Sequence, residues 1–117
     1  MIVDDNSDIL KVMQLALFFE GYDVHISTTG RELRQLPLQE LPDLILLDVK
    51  LIEEDGRVLC RLLKANEHTK DVPIIMISAH VSERKLREEC PADDVLAKPF
   101  DLETFLDKVA QQLAKHH

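Results

Sequence analysis

Acidic, hydroxyl and ammonium side chains stand at the ends of short apolar runs in this sequence, and together they have the makings of a phosphoryl-handling site. Asp4 and Asp5 follow Met1-Ile2-Val3, and Asp48 follows Leu44-Ile45-Leu46-Leu47. Ser78 and Ala79 follow Pro73-Ile74-Ile75-Met76-Ile77, and Lys98 follows Val95-Leu96-Ala97. Clustered carboxylates repel one another, which raises at least one pKa unless a cation relieves them. A hard, oxygen-rich cluster suits Mg²⁺, which keeps several waters and takes one or two carboxylates directly. Such a metal would shield a phosphoryl group from the carboxylate that attacks it, and the product would be an acyl phosphate. Lys98 offers a point charge for the phosphoryl oxygens. The Ser78 hydroxyl can donate to the same group and draw its loop inward, while Ala79 leaves the approach open.

Each residue alone has a plainer use. Asp48 would serve as a turn or helix N-cap residue, and Asp4-Asp5 would begin the first helix, where negative charge favours the macrodipole. Lys98 before Pro99 would be a solvated loop residue, and Ser78 a cap. What resists the plain account is the set, in which each group follows a different strand.

The elements that must position these groups alternate along the chain. Ile9, Val12, Met13, Ala16 and Leu17 recur at helical spacing up to Gly21. Residues 23–27 (DVHIS) alternate as a half-buried strand, and 31–39 holds a short helix interrupted by Pro37. Residues 44–47 and 73–77 are continuous apolar runs, as central parallel strands buried on both faces require. Val58, Leu59, Leu62 and Leu63 form a helical stripe after Gly56, residues 82–89 a charged helix with little beyond Leu86 to bury, and 95–97 a brief fifth strand. Leu102, Phe105, Leu106, Val109, Ala110 and Leu113 form the last amphipathic helix. Five βα units with short connections predict an α/β fold: a doubly wound, five-stranded parallel sheet with helices on both faces. In such a sheet the site lies beyond the carboxyl ends of the strands, where the polar groups above converge.

A chain of 117 residues is expected to form one domain over 1–117. Folding at that length buries roughly 65% of the unfolded surface, so one core suffices. The net charge of -8 argues against a grip on nucleic acid or an anionic membrane. Cys60 and Cys90 fit neither a metal-site spacing nor a disulfide framework, and Cys60 reads as a small buried hydrophobe. No signal peptide or membrane span is apparent, so the cytoplasm is expected.

On these residues the sequence resembles the receiver domains of two-component response regulators, over its full length. The likeness rests on V-D-D at Val3-Asp4-Asp5, L-L-D at Leu46-Leu47-Asp48, D-G at Asp55-Gly56, S-A-H at Ser78-Ala79-His80 and K-P-F at Lys98-Pro99-Phe100. No one of these motifs is specific; five in the right order are. The resemblance implies a flavodoxin-like sheet of order 2-1-3-4-5 with five helices. It implies Asp48 as phosphoacceptor, Mg²⁺ held directly by Asp5 and Asp48 and through water by Asp4, and the backbone carbonyl of Lys50 as a further metal ligand. Ser78 and Lys98 would be the switch hydroxyl and the phosphoryl-binding lysine. A sensor histidine kinase or phosphotransfer protein would be the donor, and a homodimer through helix 4, strand 5 and helix 5 is a further implied partner.

The chain also departs from the family. Val95 stands where Tyr or Phe is usual, which puts signalling by an aromatic rotor in question. The usual G-A-D reads Pro91-Ala92-Asp93, and the stretch from Ser78 to Lys98 is about two residues short, so a truncated or displaced fourth helix is expected. Ile52 replaces a common Pro, and Lys50 brings a long cation beside the pocket. Other classes fit less well. A haloacid dehalogenase carries a second Asp where this chain has Lys50, and a flavodoxin needs a phosphate-cradling loop where this chain has Asp4-Asp5-Asn6. A pseudo-receiver, folded alike but used only for docking, is the remaining alternative.

Overall fold

The structure, a computed structural model, describes residues 1–52 and 54–115. Its main sheet contains β1 (Ile2–Val3), β2 (Ile26–Ser27), β3 (Ile45–Asp48), β4 (Ile74–Ser78) and β5 (Asp94–Ala97). The strands are all parallel and run in the order β2-β1-β3-β4-β5 across the sheet. The helices are α1 (Ser7–Phe19), α2 (Arg31–Arg34), α3 (Gly56–Ala65), α4 (Glu83–Glu89) and α5 (Leu102–Lys115). This is the doubly wound parallel sheet expected from the alternation of apolar runs, in the flavodoxin-like strand order that the family resemblance implies.

Period-2 alternation divides each central strand between two cores. Ile45 and Leu47 of β3, with Ile74 and Met76 of β4, face Leu33, Leu59, Leu63 and Leu86 from α2, α3 and α4. Leu46, Ile75 and Ile77 face the opposite way, onto Leu10, Met13 and Leu17 of α1 and Phe105 and Val109 of α5. Both faces of β3 and β4 are therefore covered, which is why these runs are apolar at every position.

The helix starts show which polar residues are committed to capping. Asn6 Oδ1 accepts from the N–H groups of Asp8 and Ile9 at 3.0 and 3.2 Å. Asp55 accepts from Arg57 N–H at 2.8 Å, Ser82 from Lys85 N–H at 3.2 Å, and Asp101 from Thr104 N–H at 2.7 Å. Caps for α1, α3, α4 and α5 thus come from neighbours of the candidate site residues. Asp4, Asp5, Asp48 and Ser78 cap none of these helices.

Two local features differ from the expectation. The alternating segment 23–27 contributes only Ile26–Ser27 to the sheet, because it is an edge strand whose ladder partners on β1 are Ile2 and Val3. After β3, Lys50–Leu51 and Glu54–Asp55 pair as a small antiparallel ribbon that no sequence pattern announced. That ribbon brings Gly56 back against β3, where its N–H donates to the Val49 carbonyl at 2.6 Å. A Cβ at Gly56 would collide with the Asp48 carbonyl, backbone against side chain, with no flexible atom to yield. Gly56→Ala is therefore expected to destabilise the fold by on the order of 2–3 kcal/mol. Urea unfolding would check this, and an unchanged midpoint would mean that the Asp48 backbone moves aside freely.

Candidate functional site

The carboxyl ends of β1, β3, β4 and β5 meet in one cleft of about 470 Å³. Asp5, Asp48, Ser78 and Lys98 line it, joined by Asn6, Ile9, Lys50, Ala79 and His80. Asp4 lies beneath, fully buried. One carboxylate oxygen from each of Asp4, Asp5 and Asp48 falls within 4.8 Å of the others. Every sequence-predicted site residue is thus at the same place. Asn6, Ile9 and His80 were given no site role beforehand: Ile9 reads as part of a helical apolar stripe, and Asn6 and His80 enter only as neighbours of the acidic pair and of Ser78.

The electrostatics are those of a crowded acidic site. Lys98 Nζ donates to Asp4 Oδ2 at 2.8 Å and reaches Asp48 Oδ2 at 3.5 Å. Asp4 Oδ1 also accepts from Asn6 N–H at 2.9 Å. Burial, and next the negative charge of Asp4, push the Asp48 carboxyl up to about 7, with Lys98 opposing the rise. A hard divalent cation would relieve this crowding, and the cluster offers the one or two direct carboxylates such an ion takes, with room for water-mediated contact to the third. The residues present fit Mg²⁺.

Ser78 Oγ accepts from the N–H groups of Val81 at 2.9 Å and His80 at 3.3 Å. Those bonds fix the turn after β4 and leave the hydroxyl proton to donate into the cleft. Lys50 and His80 are exposed at the mouth, while Ala79 adds no bulk there.

The departures from the family pattern have structural counterparts. Val95 is buried in the core beside Leu86 and Cys90, and a β-branched side chain held there has no swung-out alternative to compare with a ring. The fourth helix is short, as expected, and Leu86 is its one buried side chain. Asp94 on β5 pairs with Arg87 of α4 at 3.0 Å and Lys108 of α5 at 3.1 Å, so charges on that face are matched within the chain. Among the described residues, no helix is long and apolar enough to cross a membrane.

Comparison with known proteins agrees with this geometry. The family model for the response regulator receiver domain matches residues 1–110. The DNA-binding dual master transcriptional regulator RpaA of Synechocystis sp. is 35% identical to this chain over 98% of it and 48% of the relative. The chain therefore spans about half the length of that curated relative. Among solved structures, a response regulator receiver domain protein (CheY-like) from Methanospirillum hungatei JF-1 is 31% identical, with a TM-score of 0.84 over 98% of this chain and 92% of that one. The signal receiver domain of a signal transduction histidine kinase from Syntrophus aciditrophicus is 30% identical, with a TM-score of 0.87 over 97% and 88%. The chain belongs to the response regulator receiver domain family. A domain of that family is a signalling switch and not a conventional enzyme, which sets aside the dehalogenase and flavodoxin readings.

Proposed function

We propose that residues 1–117 form a phosphoacceptor switch in which Asp48 takes a phosphoryl group from a histidine kinase or phosphotransfer protein in the presence of Mg²⁺. The observation that carries this reading is the convergence of Asp5, Asp48, Ser78 and Lys98 in one cleft, with none of them used to cap a helix. Asp5, Asp48 and the Lys50 carbonyl would hold the metal, with Asp4 acting through water. When bound, the metal supplies positive charge to neighbouring carboxylate and phosphoryl oxygens.

An Asp48 carboxylate oxygen attacks phosphorus, the nitrogen–phosphorus bond of the donor breaks, and the donor imidazole keeps the electron pair and takes a proton. Lys98 lies 3.5 Å from Asp48 and is placed to bind an oxygen of the arriving group. Its approach lengthens or breaks the 2.8 Å contact with Asp4. Ser78 donates its free hydroxyl proton to a second oxygen, which pulls on the turn leading to α4. With Val95 buried in place of a mobile ring, that turn is the route by which phosphorylation reaches the surface. Slow attack of water on the acyl phosphate resets the switch.

Intact-mass spectrometry with acetyl phosphate or phosphoramidate tests the reading. A gain of one phosphoryl group is expected with Mg²⁺, lost in chelator and in Asp48→Asn. Absence of labelling in the wild type under both conditions would leave a pseudo-receiver, and full labelling of Asp48→Asn would move the acceptor elsewhere.

A further inference from the structure

The seam between α3 and α4, on the face of the sheet away from α1 and α5, holds two thiols. Cys60 lies on the buried side of α3 and is 0% exposed, while Cys90 closes α4 and is 4% exposed. They are far apart in sequence, and nothing in their spacing suggests a pair. In the fold the residues beside them meet, as Arg61 donates to the Glu89 carbonyl at 2.6 Å, while the Cys90 S–H donates to the Leu86 carbonyl at 3.3 Å. Both cysteines are free thiols, packed in the same core cluster.

We propose that Cys60 and Cys90 form a reversible intramolecular disulfide on exposure to a peroxide, fastening the end of α4 to α3. The two thiols share one core cluster and their neighbours Arg61 and Glu89 are joined across the seam, so closing the bond requires movement of α4 and not of the sheet. The obstacle is access. Burial pushes both thiols up, Cys60 to about 12, which keeps them inert while α4 is docked.

The docking of α4 is slight. It buries one side chain of its own, Leu86, and is otherwise held by the Arg87–Asp94 pair to β5 and by charged contacts across the seam. Arg57 reaches Glu89 Oε2 at 2.5 Å, and Arg61 reaches the Glu89 carbonyl at 2.6 Å. A short helix with so little apolar anchorage opens locally at modest cost. Cys90 is the thiol uncovered by that opening. Contact with water removes the burial that holds its thiol up, which is the largest cause of its inertness.

The order of events follows from that asymmetry. The Cys90 thiolate attacks one peroxide oxygen, the oxygen–oxygen bond breaks, and Cys90 becomes a sulfenic acid as water is released. The Cys60 sulfur then attacks the Cys90 sulfur. The new sulfur–sulfur bond forms, the sulfur–oxygen bond breaks, and a second water leaves with the Cys60 proton. Two electrons pass from the thiol pair to the peroxide, and a thiol reductant reverses the change by exchange. Because α4 begins directly after the turn fixed by Ser78, the lock also restrains the chain leaving the cleft. The chemistry itself does not depend on whether Asp48 is phosphorylated.

The test uses the whole purified chain treated with hydrogen peroxide, then unfolded, alkylated and mapped by peptide mass. The expected product has lost two hydrogens, resists alkylation, and yields a peptide linking Cys60 to Cys90. Its melting temperature should rise by on the order of 10 °C and fall back with dithiothreitol. In Cys60→Ala, Cys90 should stop at the sulfenic acid and be trapped by dimedone. Should that variant not fold, the wild-type map decides by itself. The proposal is overturned if both thiols stay alkylatable, if Cys90 proceeds to sulfinic acid beside an intact Cys60, or if the disulfide joins two chains.

Discussion

Lys98→Ala is expected to destabilise the metal-free protein by on the order of 3–5 kcal/mol, because it strands two buried carboxylates. Asp4 is fully buried and Asp48 nearly so, and Lys98 is the cation against both, at 2.8 and 3.5 Å. A pair of this kind need not stabilise the fold relative to apolar packing, yet deleting one partner leaves uncompensated charge away from water. The loss should be greatest above pH 8 and smaller near pH 6, where Asp48 is protonated and has less charge to strand. Millimolar Mg²⁺ should restore part of it by taking over the neutralisation. On the proposed function, the rate of labelling by a small phosphodonor should fall on the order of 10²-fold, since the removed ammonium would act on the charge of the transferring group. Urea unfolding in chelator at the two pH values is the measurement. A loss under about 1 kcal/mol would show that water enters the site freely.

Much of this site is legible before folding, for a physical reason. A parallel sheet puts its strand ends on one edge, so a polar residue after each apolar run is already assigned a place. The fully apolar runs at Ile45–Leu47 and Ile74–Ile77 are legible because both of their faces are buried. The edge strand is less so, since the alternation of 23–27 records half-burial and not how many residues find a ladder partner. The Lys50–Leu51 and Glu54–Asp55 ribbon is invisible because it is held by backbone contact between Gly56 and the residues after β3, and no side-chain pattern encodes that. The sharing of one core cluster by Cys60 and Cys90 is hidden for the same kind of reason, as it depends on where the short α4 ends. Capping is a mixed case. The sequence leaves open whether Asp4-Asp5 or Ser78 caps a helix, and only the placement of Asn6 and Ser82 at the N-cap positions decides it.

Asp48→Asn should stabilise the metal-free protein, and the gain should depend on pH in a predictable direction. The folded-state pKa of Asp48 is raised from 3.8 to about 7, so folding favours its protonated form. The stability contributed by that preference is complete below about pH 4 and is lost as pH rises through 7. At pH 8 the wild type carries the full penalty of a buried carboxylate beside Asp4, and the variant does not. The difference is expected on the order of 4 kcal/mol, shrinking toward zero near pH 4. Repulsion alone would make Asp4→Asn equally stabilising, but the structure separates the two substitutions. Neutralising Asp48 leaves the 2.8 Å Lys98–Asp4 pair intact, whereas neutralising Asp4 removes the nearer partner of Lys98 and leaves it to Asp48 at 3.5 Å. Asp4→Asn should therefore gain less. On the proposed function, adding Mg²⁺ should reverse the ranking, raising the wild-type melting temperature well above that of Asp48→Asn, because the ion would bind the folded state through the carboxylate the variant lacks. Thermal unfolding of the three proteins from pH 4 to 8, with chelator and with Mg²⁺, checks every part of this. A flat difference between wild type and Asp48→Asn across that range would mean that Asp48 is not held in the crowded site described here.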